Sequence, residues 1–117
     1  MLADKNVADH LVKARELIAD PNNWCQGAYG VSKEGNPLLS TQLADMQQPG
    51  ARMCAMSALR IASGGNATLF GQMADALTGD DTDRLFAVCF LNNRSTHEEL
   101  MKTFNQTINQ LREPEMA

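Results

Sequence analysis

Cys25, His97 and Asn92 are the residues whose side chains could be joined into a reaction. A thiol becomes a nucleophile when a neighbouring base takes its proton, and a side-chain amide can hold that base in orientation. Cys25 lies in the stretch Asn22-Asn23-Trp24-Cys25-Gln26-Gly27, where backbone N–H groups beside Gly27 could face a substrate oxygen. His97 falls in the first turn of an expected helix. The positive end of the helix dipole disfavours an imidazolium there and leaves a neutral ring able to act as base or ligand. With Asn92 or Asn93 as the orienting group, the set has the logic of a thiol-dependent hydrolase or transferase.

Each member also has a plainer reading. His97 precedes Met101 by four and Phe104 by seven, so it sits on a core-facing stripe and reads equally as a half-buried ring bonded to backbone. Cys25 beside Trp24 serves as well as a small hydrophobe plugging the core. Trp24, Gln26 and Tyr29, from the same connector, are the candidates for contacting a bound partner. Cys25, Cys54, Cys89 and His97 would be a permissible zinc set in kind, but structural zinc sites bring their ligands in close pairs and these four are dispersed. Cys54 and Cys89 lie in apolar runs and read as filler. No metal or cofactor is expected. Asp75, Asp80, Asp81 and Asp83 lack the spacing of a calcium loop and read as helix capping beside a solvated face, and Gly64-Gly65-Asn66 has no lysine after it to hold a phosphate. His10, among polar residues, reads as solvated.

The elements that must position these groups are mostly helical. Val7, Leu11, Ala14, Leu17 and Ile18 recur at three- and four-residue steps and predict a helix over Asn6–Ala19, ended by Asp20-Pro21. The segment after Trp24 loses that period. Ala28 to Leu39 reads as a short hairpin around Gly35, and Ser40 or Thr41 is placed to cap a helical turn through Met46. A second helix is expected to open at Pro49 or Gly50 and to end at Ser63-Gly64-Gly65. Asn66 caps a third helix closed by Gly79. The apolar run Leu85 to Leu91, behind its acidic start, reads as a fourth helix with Asn92-Asn93 as a left-handed stop. Ser95 with Glu98 forms a capping box for a last helix carrying Leu100, Met101, Phe104, Ile108 and Leu111, which Pro114 ends.

The fold class that results is mainly α: a compact bundle of about five helices with a short β-hairpin in the 27–39 connector, as a single domain over 1–117. A chain of 117 residues can bury a real core unaided. With only 5% aromatic residues and seven methionines, that core must be aliphatic and adaptable. Ten scattered basic residues against fourteen acidic ones, a net charge of −4, argue against a nucleic-acid surface. No apolar run approaches the roughly 18 residues that span a bilayer. Three cysteines without framework spacing suit reduced thiols in the cytoplasm.

Taken together, Trp24-Cys25-Gln26-Gly27, Cys54-Ala55-Met56-Ser57-Ala58-Leu59, Leu91-Asn92-Asn93 and the helix from His97 through Phe104 to Ile108 resemble a family of small bacterial and phage proteins known only as a domain of unknown function. The Trp-Cys-Gln-Gly and Cys-Ala-x-x-Ala-Leu pieces are the most specific, and the resemblance covers Ala14 to Ile108. It implies a mostly helical cytosolic domain, and it draws Cys25, Cys54, Asn92 and His97 together as a cluster. An acidic residue often follows the asparagine near Leu91 in that pattern. Here Asn93 stands there, which weakens any triad needing a carboxylate. The expected function is that of a non-enzymatic accessory domain, of phage or mobile-element origin, acting on a protein partner or as a homo-oligomer. The thiol-dependent hydrolase built on Cys25 and His97 is the alternative.

Overall fold

The computed structural model describes residues 2–79 and 83–113. Six α-helices and a three-stranded sheet occur among them. In chain order these are α1 (Leu2–Leu17), β1 (Gly30–Val31), β2 (Pro37–Leu38), α2 (Leu43–Met46), β3 (Arg52–Met53), α3 (Ala55–Ala62), α4 (Ala67–Thr78), α5 (Arg84–Arg94) and α6 (His97–Arg112). A 3-10 turn over Pro21–Asn23 follows α1, with the Asp20 carboxylate accepting from the Asn22 N–H. The fold is mainly α, as expected, and the hairpin around Gly35 is present as the antiparallel pair β1 and β2.

Long helices pack where their apolar stripes meet. α1 lies against α6 and α3, and α4 lies against α5. Leu11, Ala14 and Ile18 of the first segment, Leu59 of α3, Met73 of α4, Val88 of α5, and Leu100 and Phe104 of α6 are completely buried together. Met46, Met53, Met56 and Met73 fill the spaces between them, so flexible thioethers do the packing that larger aromatics do elsewhere.

Several boundaries differ from expectation, each for a local reason. The first helix begins earlier, at Leu2, and ends at Leu17, where Ile18 already bonds back in a tight turn to Arg15. The second long helix does not open at Pro49 or Gly50. Gly50 takes φ +85°, which a right-handed helix forbids, and Arg52–Met53 instead forms β3, paired antiparallel with β1. That pairing needs Gly30, because a Cβ there would come within 2.9 Å of the Arg52 carbonyl oxygen. Cys54 then precedes the first turn of α3. Gln42, not Ser40 or Thr41, precedes α2.

The Asn66 cap and the left-handed Gly79 closure of α4 are as expected. Asn92-Asn93 does not stop α5, which runs on to Arg94 in right-handed conformation. The capping box of α6 lies one residue later than expected, with Thr96 and Glu99 exchanging bonds of 3.1 and 2.8 Å. Ser95 is held extended because its carbonyl is taken by another segment. Asp83 caps α5 through the Phe86 N–H, whereas Asp80, Asp81 and the Pro114 stop lie outside the described residues.

Candidate functional site

Asn92 is the hub of a hydrogen-bonded knot that takes in Trp24, the Cys25 backbone, Ala55 and Asn93. Asn92 is 1% exposed on the inner face of α5 and uses its whole amide. Its oxygen accepts from the Trp24 indole N–H at 2.7 Å and the Ala55 backbone N–H at 2.9 Å. Its nitrogen donates to the Cys25 carbonyl at 3.1 Å and to the Asn93 side-chain oxygen at 3.3 Å. One side chain thereby ties the connector to the start of α3 and to the end of α5.

Gln26 completes the tie. Its amide nitrogen lies 3.0, 3.2 and 2.7 Å from the carbonyls of Asn92, Asn93 and Ser95, and two N–H groups share those three acceptors. These are carbonyls at and just beyond the end of α5, where the last turns of a helix leave acceptors without intrahelical partners. Gly27 adds an N–H bond of 2.9 Å to the Asn93 side chain, at a backbone φ of +78° that favours glycine. The Trp-Cys-Gln-Gly stretch is thus an external cap on the end of α5, which closes after Arg94 without a left-handed residue.

His97 and Cys25 are bound to backbone separately. The His97 Nε2 lies 2.7 Å from the Ile18 carbonyl, and since a carbonyl only accepts, Nε2 donates that bond. This half-buried ring satisfies the end of α1 and stands 5.5 Å, centroid to centroid, from the Trp24 ring. The Cys25 thiol points at the Ala28 carbonyl, 3.7 Å away. Burial pushes that thiol up to about 11, with the neighbouring Cys54 adding to the rise and Arg52 opposing it. Among the described residues no hydrogen bond joins the Cys25 thiol, the His97 ring and the Asn92 amide. His10, expected to be solvated, is partly covered and bonds to the Asn6 carbonyl one turn back.

Two openings flank this knot. A cleft of about 420 Å³ lies between the hairpin and α5, lined by Tyr29, Pro37, Leu38, Cys54, Cys89 and Asn93 among others. Tyr29 exposes 42% of itself there, while its carbonyl accepts from the Cys54 N–H and the Ser57 hydroxyl. The Cys89 thiol lies 3.8 Å from the Met56 sulfur, and burial raises its pKa. On the other side a depression of about 690 Å³ is bordered by Trp24, Cys25, Lys33, Arg52 and His97. The described residues contain no group of three histidine, cysteine or acidic side chains able to hold a metal ion.

Sequence reasoning missed the outer face of α5. Phe86 and Phe90 are 65% and 56% exposed and stacked at 5.9 Å, with the Arg94 guanidinium 5.5 Å over the Phe90 ring. The unbroken apolar run Leu85 to Leu91 concealed which side of the helix faces out.

Fold and site together define a small, mainly helical domain whose segments are joined by a buried asparagine and a tryptophan-glutamine connector. The chain belongs to the family of unknown function DUF6197, which it matches over residues 2–110. No curated protein and no solved structure matches it. No helix among the described residues is long and apolar enough to cross a membrane.

Proposed function

We propose that this chain is a non-enzymatic, cytoplasmic protein-binding domain and that it binds through the outer face of α5. The observation that carries this is the stacked pair Phe86 and Phe90, held in solvent on a helix whose opposite face buries Val88, Leu91 and Asn92. Phenylalanine brings about 150–250 Å² each, so at these exposures the two rings leave roughly 200–300 Å² of aromatic surface open. Leu85 on the same helix is also exposed. With Leu85 the patch approaches the lower end of the roughly 300–600 Å² that the largest patches of monomeric proteins reach.

Self-complementarity favours a second copy as the occupant. Phe86, Phe90 and Arg94 fall within roughly 80° of the circumference of α5 at 3.6 residues per turn, and Asp83 stands at its N-cap. Antiparallel two-fold packing of this face on itself sets Phe86 against Phe90 and brings Arg94 to the Asp83 end of the other helix, opposite charges meeting at both ends. Among the described residues Arg94 makes no ion pair within its own chain. The exposed charge pair is worth less than about 1 kcal/mol and sets orientation, while the rings supply the affinity. The area falls short of the roughly 800 Å² per partner of a standard interface, so the dimer is weak and transient. Sedimentation equilibrium from micromolar to millimolar protein checks this: a monomer–dimer equilibrium is expected, weakened about tenfold or more by Phe90→Ser and to a smaller degree by Arg94→Glu. A chain that stays monomeric at millimolar concentration would hand the face to a different protein partner.

The hydrolase or transferase reading needs a Cys25 thiolate and a free base. A thiol pushed up to about 11 and a His97 ring bonded to the Ile18 carbonyl both speak for the binding domain.

A further inference from the structure

We infer that the depression between the connector and the sheet binds a small planar ligand bearing an oxyanion, a carboxylate or a phosphate. Fourteen acidic residues outnumber ten basic ones in the chain, yet Lys33 and Arg52 border this depression and no Asp or Glu does. In a chain of net charge −4, that leaves a local positive field surrounded by a repelling surface, which concentrates an anion at one place.

The two cations are placed by the backbone. Arg52 lies opposite Val31 across the β1–β3 ladder, so the two side chains stand on one face of the sheet, and both border the depression. Lys33 runs its stem over Gly50, where a Cβ would come within 2.9 Å of the Lys33 Cγ, so the bare glycine makes the channel for the lysine stem. Neither cation has an ion-pair partner among the described residues, whose salt bridges are Arg84–Asp75 and Arg112–Asp9. The charge of Arg52 is felt at the floor, where it opposes the upward shift of the Cys25 thiol.

The rest of the wall suits a flat body. Trp24 turns its N–H inward to Asn92, which leaves the rest of the indole to border the depression. His97 and Pro21 stand beside it. A volume of about 690 Å³ lies in the range of small-molecule sites. An oxyanion would take the Arg52 fork in bidentate fashion with Lys33 as a second charge, while an aromatic or planar body lies against Trp24.

Trp24 is the only tryptophan, so its fluorescence reports this site directly. The full chain is titrated with inorganic phosphate, phenyl phosphate and benzoate, each against sodium chloride of equal ionic strength. A saturating change in Trp24 emission is expected with phenyl phosphate or benzoate, tighter than with inorganic phosphate, and the better of the two identifies the head group. Arg52→Gln and, independently, Lys33→Gln should weaken it about tenfold, both being exposed side chains whose loss leaves the fold intact, whereas Arg112→Gln should change nothing. The inference is overturned if no arm saturates beyond the chloride control, or if the response survives both Arg52→Gln and Lys33→Gln.

Discussion

α5 carries its residues the wrong way round for an ordinary surface helix. On the inner face Asn92 is 1% exposed, and on the outer face Phe86 and Phe90 are 65% and 56% exposed. Burying an amide is favourable only when every donor and acceptor is met, and Asn92 meets all of them with four hydrogen bonds. Exposing two rings costs the hydrophobic free energy that burial would return, and that cost is recovered only when something covers them. One face of the helix therefore holds the fold together, and the other is the face proposed for docking.

Mutation separates the two faces. The largest effect is expected for Asn92→Ala, which strands the Trp24 and Ala55 N–H groups and the Cys25 carbonyl in the interior. At about 1–3 kcal/mol for each orphaned group, and less than additive, the loss should be about 3–5 kcal/mol in urea denaturation, a large share of a domain's stability. A loss below about 1 kcal/mol would mean that water takes the place of the amide and that the inner face is not the tie described above.

Cys25 sharpens the same contrast from the side of reactivity. Its folded pKa of about 11 stands above the ordinary 9.0, so near pH 8 about one thiol in a thousand is ionised against one in ten when unfolded. Alkylation by iodoacetamide should be about a hundredfold slower in the native chain, rising tenfold per pH unit. The folded state holds this proton more tightly, so the associated stability is complete below pH 9 and is lost between pH 9 and 11. Fast, pH-independent alkylation of Cys25 at neutral pH would restore the enzyme reading.

Gln26→Ala comes next, removing the donor shared by three carbonyls at the end of α5. About 1–2 kcal/mol should be lost, with earlier hydrogen exchange in the last turn of α5 than in α6. The smallest effect is expected on the outer face, where Phe86→Ala should shift monomer stability by less than about 0.5 kcal/mol while it impairs association. Equal damage to folding from Phe86→Ala and Gln26→Ala would abolish the division between the two faces.

Much of the helical framework was legible because it follows from local physics. The stripe Val7, Leu11, Ala14 and Ile18, the Asn66 cap and the Gly79 closure depend on neighbours three or four residues away. The errors lie where a distant segment intervenes. Gly50 to Met53 reads as a helix start by composition and becomes a strand because Gly30 lets β1 come close. Ser95-Glu98 reads as the capping box, and the box moves to Thr96-Glu99 because Gln26 holds the Ser95 carbonyl. The family resemblance drew attention to Cys25, Cys54, Asn92 and His97, and Trp24 and Gln26 stood apart as contact candidates; that Trp24 and Gln26 bond to Asn92 and its neighbours was legible nowhere in the sequence.

Residue order alone determined that this chain is mainly helical, that its core is built from aliphatic and methionine side chains, and that Trp24 to Gly27 lies where the first helix gives way to the connector. Those are consequences of composition and of contacts within one turn. Only the tertiary structure decided what that stretch does, because the bonds that define it span 66 to 69 residues: Trp24 to Asn92, Gln26 to Ser95, Gly27 to Asn93. It decided likewise which side of the Leu85 to Leu91 run faces solvent. A run apolar on every side carries no period, and its orientation is set by which neighbours it packs against.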